Sequence, residues 1–361
     1  MKLNKEDLKY IATGAAFLGT GGGGDPYIGR MLATSAIEEF GAPNVIAADS
    51  LADDANVYTI AMLGAPTVLV EKGAAGKDLD LALQALQDYT GKPADAVIPI
   101  EIGGVNSLVP VVAAARTGLP LVDADGMGRA FPELQMITYN VGGVPCTPLV
   151  VADEHLNSLV VNAASAKRAE DLVRVCAVEM GASVMLSSYM MTGRQVKECA
   201  VLGTMTLALQ IGRAILDGRR SGDPVQALLT TLRATPYYNH CRVIFDGKVR
   251  DLQRETQGGF SVGICEIAAL DGNGPALQLT FQNEHLVAHQ AGAVRAIVPD
   301  LICVVDRETA EPIPVEGLKY GQRVKVLGVS SPPILRTPQA LAVFGPAAFG
   351  LKDPFQPIEA L

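Results

Sequence analysis

The chain has 361 residues, a hydrophobic fraction of 49%, a charged fraction of 19% and a net charge of -9. This length allows two domains that each bury a core. Nucleic acid and anionic membranes are disfavoured as partners because both require a basic face, and no apolar run reaches the roughly 18 residues that cross a bilayer. We therefore expect a well-packed protein that binds a small molecule.

The first residues contain no apolar signal core and lead directly into a capped helix. The six cysteines are scattered singly, without a C-x-x-C pair. This spacing is typical of buried thiols in a reducing compartment. The pattern predicts a cytoplasmic protein.

A glycine run, Gly21 to Gly24, separates two helix-like segments at the start of the chain. Glycines add no side chain to a core and cost backbone entropy, so four in succession need a reason. One interpretation is that Gly21, Gly22, Gly23 and Gly24 turn their N–H groups toward a ligand, beside a helix capped by Asp25. The alternative is a flexible turn.

The glycine run also has the G-x-G-x-x-G spacing of a dinucleotide site. In such a site the glycines follow a strand, whereas residues 6–17 show helical periodicity. No Lys-Ser/Thr follows, so the run is not a Walker A loop. It indicates an anion or a polar small molecule, not specifically a nucleotide.

Apolar runs and helices then alternate along the chain. Strands are predicted at 45–48, 57–63, 96–100, 119–122 and 136–139, and helices at 27–40, 78–87 and 107–115. Near-continuous apolar strands joined by helices are typical of a mainly parallel α/β sheet. Ligands bind such sheets beyond the carboxyl ends of the strands.

Polar residues follow two of these strands. Glu101, Gly103, Gly104 and Asn106 come after the strand at 96–100, and we expect them to bind or act on a substrate. The glycines there would donate N–H groups to a developing anion.

Asp123 and Asp125 come after the strand at 119–122. Their alternation predicts two carboxylates on one strand face, as a base for water or as metal ligands. The alternative is that they cap a turn. Arg129 would pair with these aspartates, clamp a substrate carboxylate or form an ion pair with Glu133, one helical turn later.

In the remainder of the chain the predicted elements change from a strand to helices and then to strands. A strand is predicted at 183–190, a long apolar helix at 196–216 and a further helix at 223–234. Nearly everything beyond residue 236 has strand periodicity, with hairpin turns at Asp246-Gly247 and Asp271-Gly272-Asn273-Gly274. The apolar helix would support self-association as a homo-oligomer, or form an interdomain core.

These elements predict an α/β plus all-β fold. The N-terminal α/β domain would cover residues 1–180, linking elements residues 181–235, and a β-rich sandwich or barrel-like domain with a Pro/Gly-rich tail residues 236–361. A small-molecule site is expected in the cleft between the domains.

Four histidines offer further chemistry. His285 and His289 lie in a strand-like segment, where residues four apart are separated by about 13 Å and cannot share a metal. His285 would reach the cleft as a base, or be a satisfied structural histidine. His155 and His240 are weaker candidates, and no local spacing indicates a His/Cys zinc site.

Several segments together resemble the DUF917 family. They are Gly19-Thr20-Gly21-Gly22-Gly23-Gly24-Asp25-Pro26, the segment from Asp123 to Met136, Phe281-Gln282-Asn283-Glu284-His285-Leu286, and the segments 298–306 and 317–321. The resemblance covers nearly the whole chain. It implies an N-terminal α/β domain and a C-terminal β-rich domain, and a function like that of the S-methyl-thiohydantoin desulfurases associated with hydantoin utilisation.

Loss of sulfur from such a ring by hydrolysis requires a base for water, donors for the developing anion and an acid or metal for the leaving group. Asp123, Asp125, Glu101 and His285 are the candidates for these roles, and a divalent metal such as zinc stays open as a cofactor. A non-catalytic accessory subunit and a metal-dependent cyclic amide hydrolase are the alternative functions.

Overall fold

The computed structural model describes residues 1–64 and 76–361. Ten α-helices, α1 to α10, lie in these residues: Lys5–Leu18, Pro26–Phe40, Lys77–Thr90, Val109–Thr117, Thr138–Val141, Ala166–Glu179, Gly193–Cys199, Thr204–Ser221, Pro224–Arg233 and Pro338–Phe344. None of the described helices is both long enough and apolar enough to cross a bilayer.

The described residues also form sixteen strands, β1 to β16. They are Val45–Ile46, Asn56–Gly64, Ala96–Pro99, Leu121–Val122, Ala124–Asp125, Leu149–Ala152, Ser158–Val161, Ser183–Thr192, Val201–Leu202, Cys241–Gln257, Phe260–Ala269, Leu277–Gln282, Glu284–Gln290, Ala293–Ile297, Leu301–Asp306 and Arg323–Val329.

The N-terminal part is built on a mixed seven-stranded sheet. Its order is β1-β4-β3-β2-β8-β6-β7, in which the first four strands are parallel and the last three antiparallel. Hydrophobic layers cover both faces of this sheet. The carboxyl ends of β3 and β4 therefore meet at one edge, where Glu101 and Asp123 follow them.

The C-terminal part is a curled antiparallel sheet with the order β14-β13-β12-β11-β10-β16-β15. Its inner face closes on a core that includes Phe245, Phe281 and Val326. Strands β15 and β16 also join the hydrophobic layer formed by α1 and α8. The two parts thus share a continuous apolar contact, and β13 lies against the glycine run. This architecture confirms the predicted α/β plus all-β fold.

Several local predictions are wrong. Residues 136–139 are not a strand, because Thr138 begins the short helix α5. The helix predicted at 196–216 is two helices, because Gly203 adopts φ +77° and ends the segment before α8. The predicted hairpin at Asp246-Gly247 lies inside the continuous strand β10, where a Cβ on Gly247 would come within 2.3 Å of the Ala268 carbonyl oxygen.

Candidate functional site

The glycine run is tied to both parts of the chain through its carbonyl groups. The carbonyl of Thr20 accepts a hydrogen bond from the N–H of His285 at 2.8 Å, and that of Gly21 accepts one from the N–H of Val315 at 2.8 Å. The carbonyl of Gly23 accepts one from the N–H of Val105 at 2.9 Å. The glycine run is therefore held by hydrogen bonds to both domains, and it is not a flexible turn.

Close packing explains why the residues of this run are glycines. A Cβ on Gly22 would lie 1.9 Å from Oε1 of Glu284, and one on Gly23 would lie 2.8 Å from the carbonyl carbon of Gly103. A Cβ on Gly104 would lie 1.9 Å from the Gly23 oxygen. The two glycine segments thus fit against each other and against β13.

The helix that follows the run begins as predicted. Asp25 is its N-cap and accepts a hydrogen bond from the N–H of Tyr27 at 2.8 Å, with Pro26 in the first turn. The carboxylate of Asp25 is therefore used in a cap. The role of Gly21, Gly22, Gly23, Gly24, Gly103 and Gly104 as anion donors stays a prediction.

Glu101 is buried at the carboxyl end of β3. Its Oε1 accepts a hydrogen bond from Nδ2 of Asn106 at 2.8 Å, while Oε2 has no hydrogen-bond partner within the described residues. Burial raises the pKa of Glu101 to about 8, and the nearby Asp125 adds to the rise. The group is therefore mostly a neutral acid at pH 7.

Asn106 holds Glu101 in place rather than offering a free amide to a ligand. Its Oδ1 accepts the N–H of Met62 at 2.7 Å and its Nδ2 donates to the Met62 carbonyl at 3.1 Å. The third contact of the amide is with Glu101. The Asn106 amide is thus used in contacts within the protein, and its substrate-binding role stays a prediction.

Asp125 is fully buried in the two-residue strand β5. Its Oδ2 accepts three backbone hydrogen bonds, from Ile102 at 3.0 Å, Met127 at 2.9 Å and Gly128 at 2.8 Å. Burial raises the pKa of Asp125 to about 7, although these N–H groups favour the anion. Its Oδ1 makes no hydrogen bond of normal geometry among the described residues, and the nearby Thr204 hydroxyl also favours the anion.

Asp123 takes different partners from Asp125, so the predicted pair does not act as one unit. Its carboxylate accepts hydrogen bonds from the N–H of Thr206 at 3.0 Å and from the Thr206 hydroxyl. The Asp123 carbonyl accepts the N–H of Gly203 at 2.8 Å. These contacts cap the first turn of α8, a helix distant in sequence. The following turn, which the alternative named, is instead contacted by Asp125 through the N–H groups of Met127 and Gly128.

Two residues of β13 complete the buried cluster. Glu284 and His285 are both buried, and Oε2 of Glu284 has no hydrogen-bond partner within the described residues. Burial raises the pKa of Glu284 well above its usual range, and the neighbouring Glu101 raises it further. Burial thus favours the protonated form of Glu284 beside the glycine run.

His285 is oriented by a backbone carbonyl. Its Nδ1 lies 3.0 Å from the oxygen of Ile302, so Nδ1 carries the proton and Nε2 is an acceptor. Nε2 has no hydrogen-bond partner in the described part of the chain. Burial, with the charge of Arg129, lowers the pKa of His285 to about 4. The ring is therefore a neutral acceptor near pH 7.

Arg129 joins the segments that surround this cluster. Its guanidinium donates to the carbonyls of Ala130, Pro299 and Asp300 at 3.0 Å each, and to the Thr20 hydroxyl at 2.8 Å. Burial lowers the pKa of Arg129 to about 10. The predicted ion pair with Glu133 is wrong, because residues 126–137 are not helical and Glu133 lies near Lys167.

The remaining histidines lie apart from the cluster. His155 and His240 are exposed, and Nε2 of His289 lies 3.0 Å from Asp353. The strand prediction for His285 and His289 is confirmed. Among residues 1–64 and 76–361, no group of three or more His, Cys, Asp or Glu side chains is placed to hold a metal ion.

A cavity apart from this cluster is lined in part by a cysteine that is not reactive. Asn140, Gly143, Cys146, Thr147 and Ser165 are among its lining residues. Burial raises the pKa of the Cys146 thiol to about 12. The thiolate form is therefore scarce near neutral pH, and Cys146 is a poor nucleophile.

Sequence reasoning missed Glu284 as a member of the cluster. Glu284 directly precedes the candidate His285, and this adjacency was the available signal for including Glu284 in the cluster. Its contact with Gly22 depends on how the two domains pack, which a local pattern does not contain.

Comparisons with known proteins give one family for the whole chain. The description "S-Me-THD-like, N-terminal domain" matches residues 6–163, and "S-Me-THD-like, C-terminal domain" matches residues 164–358. A comparison with curated proteins gave no match. A crystal structure of a protein from Chromobacterium violaceum is similar, with 26% identity and a TM-score of 0.81 over 99% of this chain and 100% of that chain. The chain belongs to the S-Me-THD-like family, as the resemblance to DUF917 implied.

Proposed function

We propose that the chain is a hydrolytic enzyme that acts on a small thiohydantoin-type or hydantoin-type ring and releases sulfur by attack of water on the ring carbon. The observation that supports this proposal most is the buried cluster of Glu101, Asp125, Glu284 and His285. Each of these side chains has one polar atom without a hydrogen-bond partner among the described residues. Buried polar atoms are normally paired, so four such atoms favour a ligand. The family membership supports the ring class.

Asp125 is the base in this proposal. Three N–H groups on Oδ2 stabilise its anion, and its pKa of about 7 is lower than that of Glu101. At neutral pH a substantial fraction of Asp125 is ionised, and in this proposal Oδ1 takes a proton from water. Nε2 of His285 accepts the second hydrogen of this water and orients it, since burial makes the imidazolium unfavourable.

Glu101 is the acid. With a pKa of about 8 it holds a proton at neutral pH and gives it to the sulfur. Glu284, whose protonated form is favoured by burial, donates a hydrogen bond to a ring carbonyl or to the developing anion. For a thione, addition of water and collapse of the tetrahedral carbon yield the carbonyl ring and hydrogen sulfide. For an S-methyl ring the same steps yield the carbonyl ring and methanethiol.

The experiment is a substrate panel. Purified protein is incubated with thiohydantoins, S-methyl thiohydantoins and the matching hydantoins, with and without chelator. The proposal predicts release of sulfide or methanethiol, with the hydantoin ring as product. Ring opening without sulfur release would instead support a cyclic amide hydrolase. Binding without turnover of any ring would support an accessory role, and loss of activity with chelator would add a metal to the site.

A further inference from the structure

A buried hydroxyl lies beside Oδ1 of Asp125. Thr204 is 1% exposed, and its Oγ1 makes no hydrogen bond of normal geometry in residues 1–64 and 76–361. The hydroxyl is nevertheless close enough to Asp125 to favour the anion of that carboxyl. Buried polar atoms are normally paired, often by an ordered water. These two oxygens therefore favour a bound water between them.

The backbone determines where this hydroxyl lies. Strand β5 pairs with β9, with Asp125 opposite Val201, and Gly203 then adopts φ +77° at the start of α8. The N–H of Gly203 donates to the Asp123 carbonyl at 2.8 Å, so the first turn of α8 is attached to the chain just before Asp125. Helix α8 also packs against α1 and α9. The first turn, which contains Thr204, is thus held from two sides.

Helix capping does not account for the Thr204 hydroxyl. A threonine at a helix N-terminus ordinarily accepts an N–H of the first turn with its side-chain oxygen. Here the N-cap is Gly203, which has no side chain, and that position makes no side-chain cap bond. The Thr206 N–H donates to the Asp123 carboxylate instead, at 3.0 Å. The Thr204 oxygen is therefore not used in a cap.

The donors and acceptors of the site fit a water molecule that attacks the ring. In the proposed mechanism this water directs one hydrogen to Oδ1 of Asp125 and the other to Nε2 of His285. Its oxygen then has two lone pairs, of which one attacks the ring carbon. The Asp125 anion and the His285 acceptor have no hydrogen to give to the second lone pair, whereas the Thr204 hydroxyl has one.

We propose that Thr204 is a further catalytic residue, which donates its hydroxyl hydrogen to the attacking water and thereby orients the lone pair that attacks. The inference rests on the proposed function, because it concerns the same site and the same water. For a thione, Asp125 removes one proton from the water, and the water oxygen forms the bond to the ring carbon. The π electrons of the carbon–sulfur bond move to sulfur, which takes the proton of Glu101. Thr204 keeps its own proton throughout.

The kinetic test is the pH profile of sulfide release by Thr204→Val, which keeps the shape of the side chain and removes the hydroxyl. We expect the pH-independent kcat, fitted from both limbs, to fall roughly 10-fold to 100-fold, because the water loses its orientation. Thr204→Ser keeps the hydroxyl and should recover most of the rate. Thr59→Val is the matched control and should keep the wild-type kcat. Thr59 is also 1% exposed, but its hydroxyl donates to the Ser188 carbonyl at 2.6 Å within the sheet.

The two limbs of the profile separate orientation of the water from stabilisation of the Asp125 anion. The other titratable groups that interact with the charge of Asp125 are Glu101, Tyr139 and Tyr238, and all three stay in place in Thr204→Val. If Thr204 only stabilises the anion, its loss would raise the pKa of the acid limb and leave the pH-independent kcat unchanged. That result would overturn the proposal.

A crystal structure of the wild-type protein tests the water site without any variant and without activity. We expect an ordered water within about 3 Å of both Oγ1 of Thr204 and Oδ1 of Asp125, and its loss in Thr204→Val. A wild-type structure without this water would overturn the proposal, whatever the activity. If the water is present and the wild-type protein releases no sulfur from any ring, the water site is supported and the proposed function fails.

Discussion

Nδ2 of Asn106 donates a hydrogen bond to Oε1 of Glu101 at 2.8 Å, and the rest of the Asn106 amide is bound to the backbone of Met62. The amide thereby fixes the Glu101 carboxyl to the neighbouring strand β2. This bond also stabilises the ionised form and lowers the pKa of Glu101 from the value that burial alone would give.

Asn106→Ala should therefore raise the pKa of Glu101. The acid would stay protonated to higher pH, so the alkaline limb of the kcat/KM profile should move upward from about pH 8. The rate at pH 7 should fall, because the carboxyl loses its orientation. Asn140→Ala, which removes an amide bonded to the Gln135 carbonyl, is the control and should leave the limb in place. An unmoved limb in Asn106→Ala would show that Glu101 is not the titrating acid.

Stability should fall as the pH rises from 6.5 to 8. The pKa values of Asp125 and Glu101 are raised on folding to about 7 and about 8, so the folded protein holds more protons than the unfolded chain in this range. Their stabilising contribution is complete below the unfolded pKa values and is lost as the pH rises through the folded ones. The lowered pKa of His285, about 4, acts in the opposite direction but only below about pH 6.5.

Urea unfolding at pH 6.5 and 8 checks this prediction. The wild-type protein should lose on the order of 2 kcal/mol of unfolding free energy across the interval. The double variant Glu101→Gln, Asp125→Asn cannot titrate at these positions and should lose much less. An equal loss in both proteins would contradict the raised pKa values of Asp125 and Glu101.

Gly22→Ala should destabilise the protein by about 2 kcal/mol, the usual cost of forcing a methyl group into a packed region. The added Cβ would lie 1.9 Å from Oε1 of Glu284, and Cδ and Cγ of the same side chain are also within 2.7 Å. The double variant Gly22→Ala, Glu284→Ala should recover part of this stability but not the activity. Gly91→Ala is the control, because a Cβ there meets no atom within 4 Å and costs only the strain of a positive φ.

If Glu284→Ala recovers no stability in the Gly22→Ala background, Gly22 and Glu284 do not pack closely against each other. Chemical unfolding of the four proteins measures the coupling between the two positions directly.

Arg129→Lys should cost about 3 kcal/mol of unfolding free energy, because a lysine ammonium cannot reach three carbonyls and a hydroxyl with the fixed fork of a guanidinium. Arg194→Lys is the matched control: Arg194 forms an exposed ion pair with Asp53, and such pairs contribute little. A loss of less than about 0.5 kcal/mol in Arg129→Lys would show that this guanidinium does not hold the segments together.

Local signals predicted the parts of this fold that local forces determine. The cap at Asp25 and the placement of Glu101 after β3 depend on turn chemistry and on strand ends, and both are confirmed. The alternation of Asp123 and Asp125 did not predict their environments. The chain leaves the main sheet after Val122 and pairs with β9, so the two carboxylates lie in different contacts.

The features that the sequence did not predict depend on contacts between residues that are far apart in the chain. The partners of Arg129 include Thr20, Pro299 and Asp300, so its role depends on the packing of the two domains. Gly247 resembles a turn residue in the sequence but is required by the approach of the Ala268 carbonyl. Neither periodicity nor turn chemistry contains this information.

The most direct test of the proposed mechanism compares Asp125→Asn with Asp123→Asn in the release of sulfide from a thiohydantoin. Asparagine at either position keeps the shape and removes the charge. Asp125→Asn should lower kcat at least 100-fold while ligand binding, followed by calorimetry, changes little. Asp123→Asn should retain most of the activity, since asparagine still caps α8. Full activity in Asp125→Asn, or a larger loss in Asp123→Asn, would contradict the mechanism.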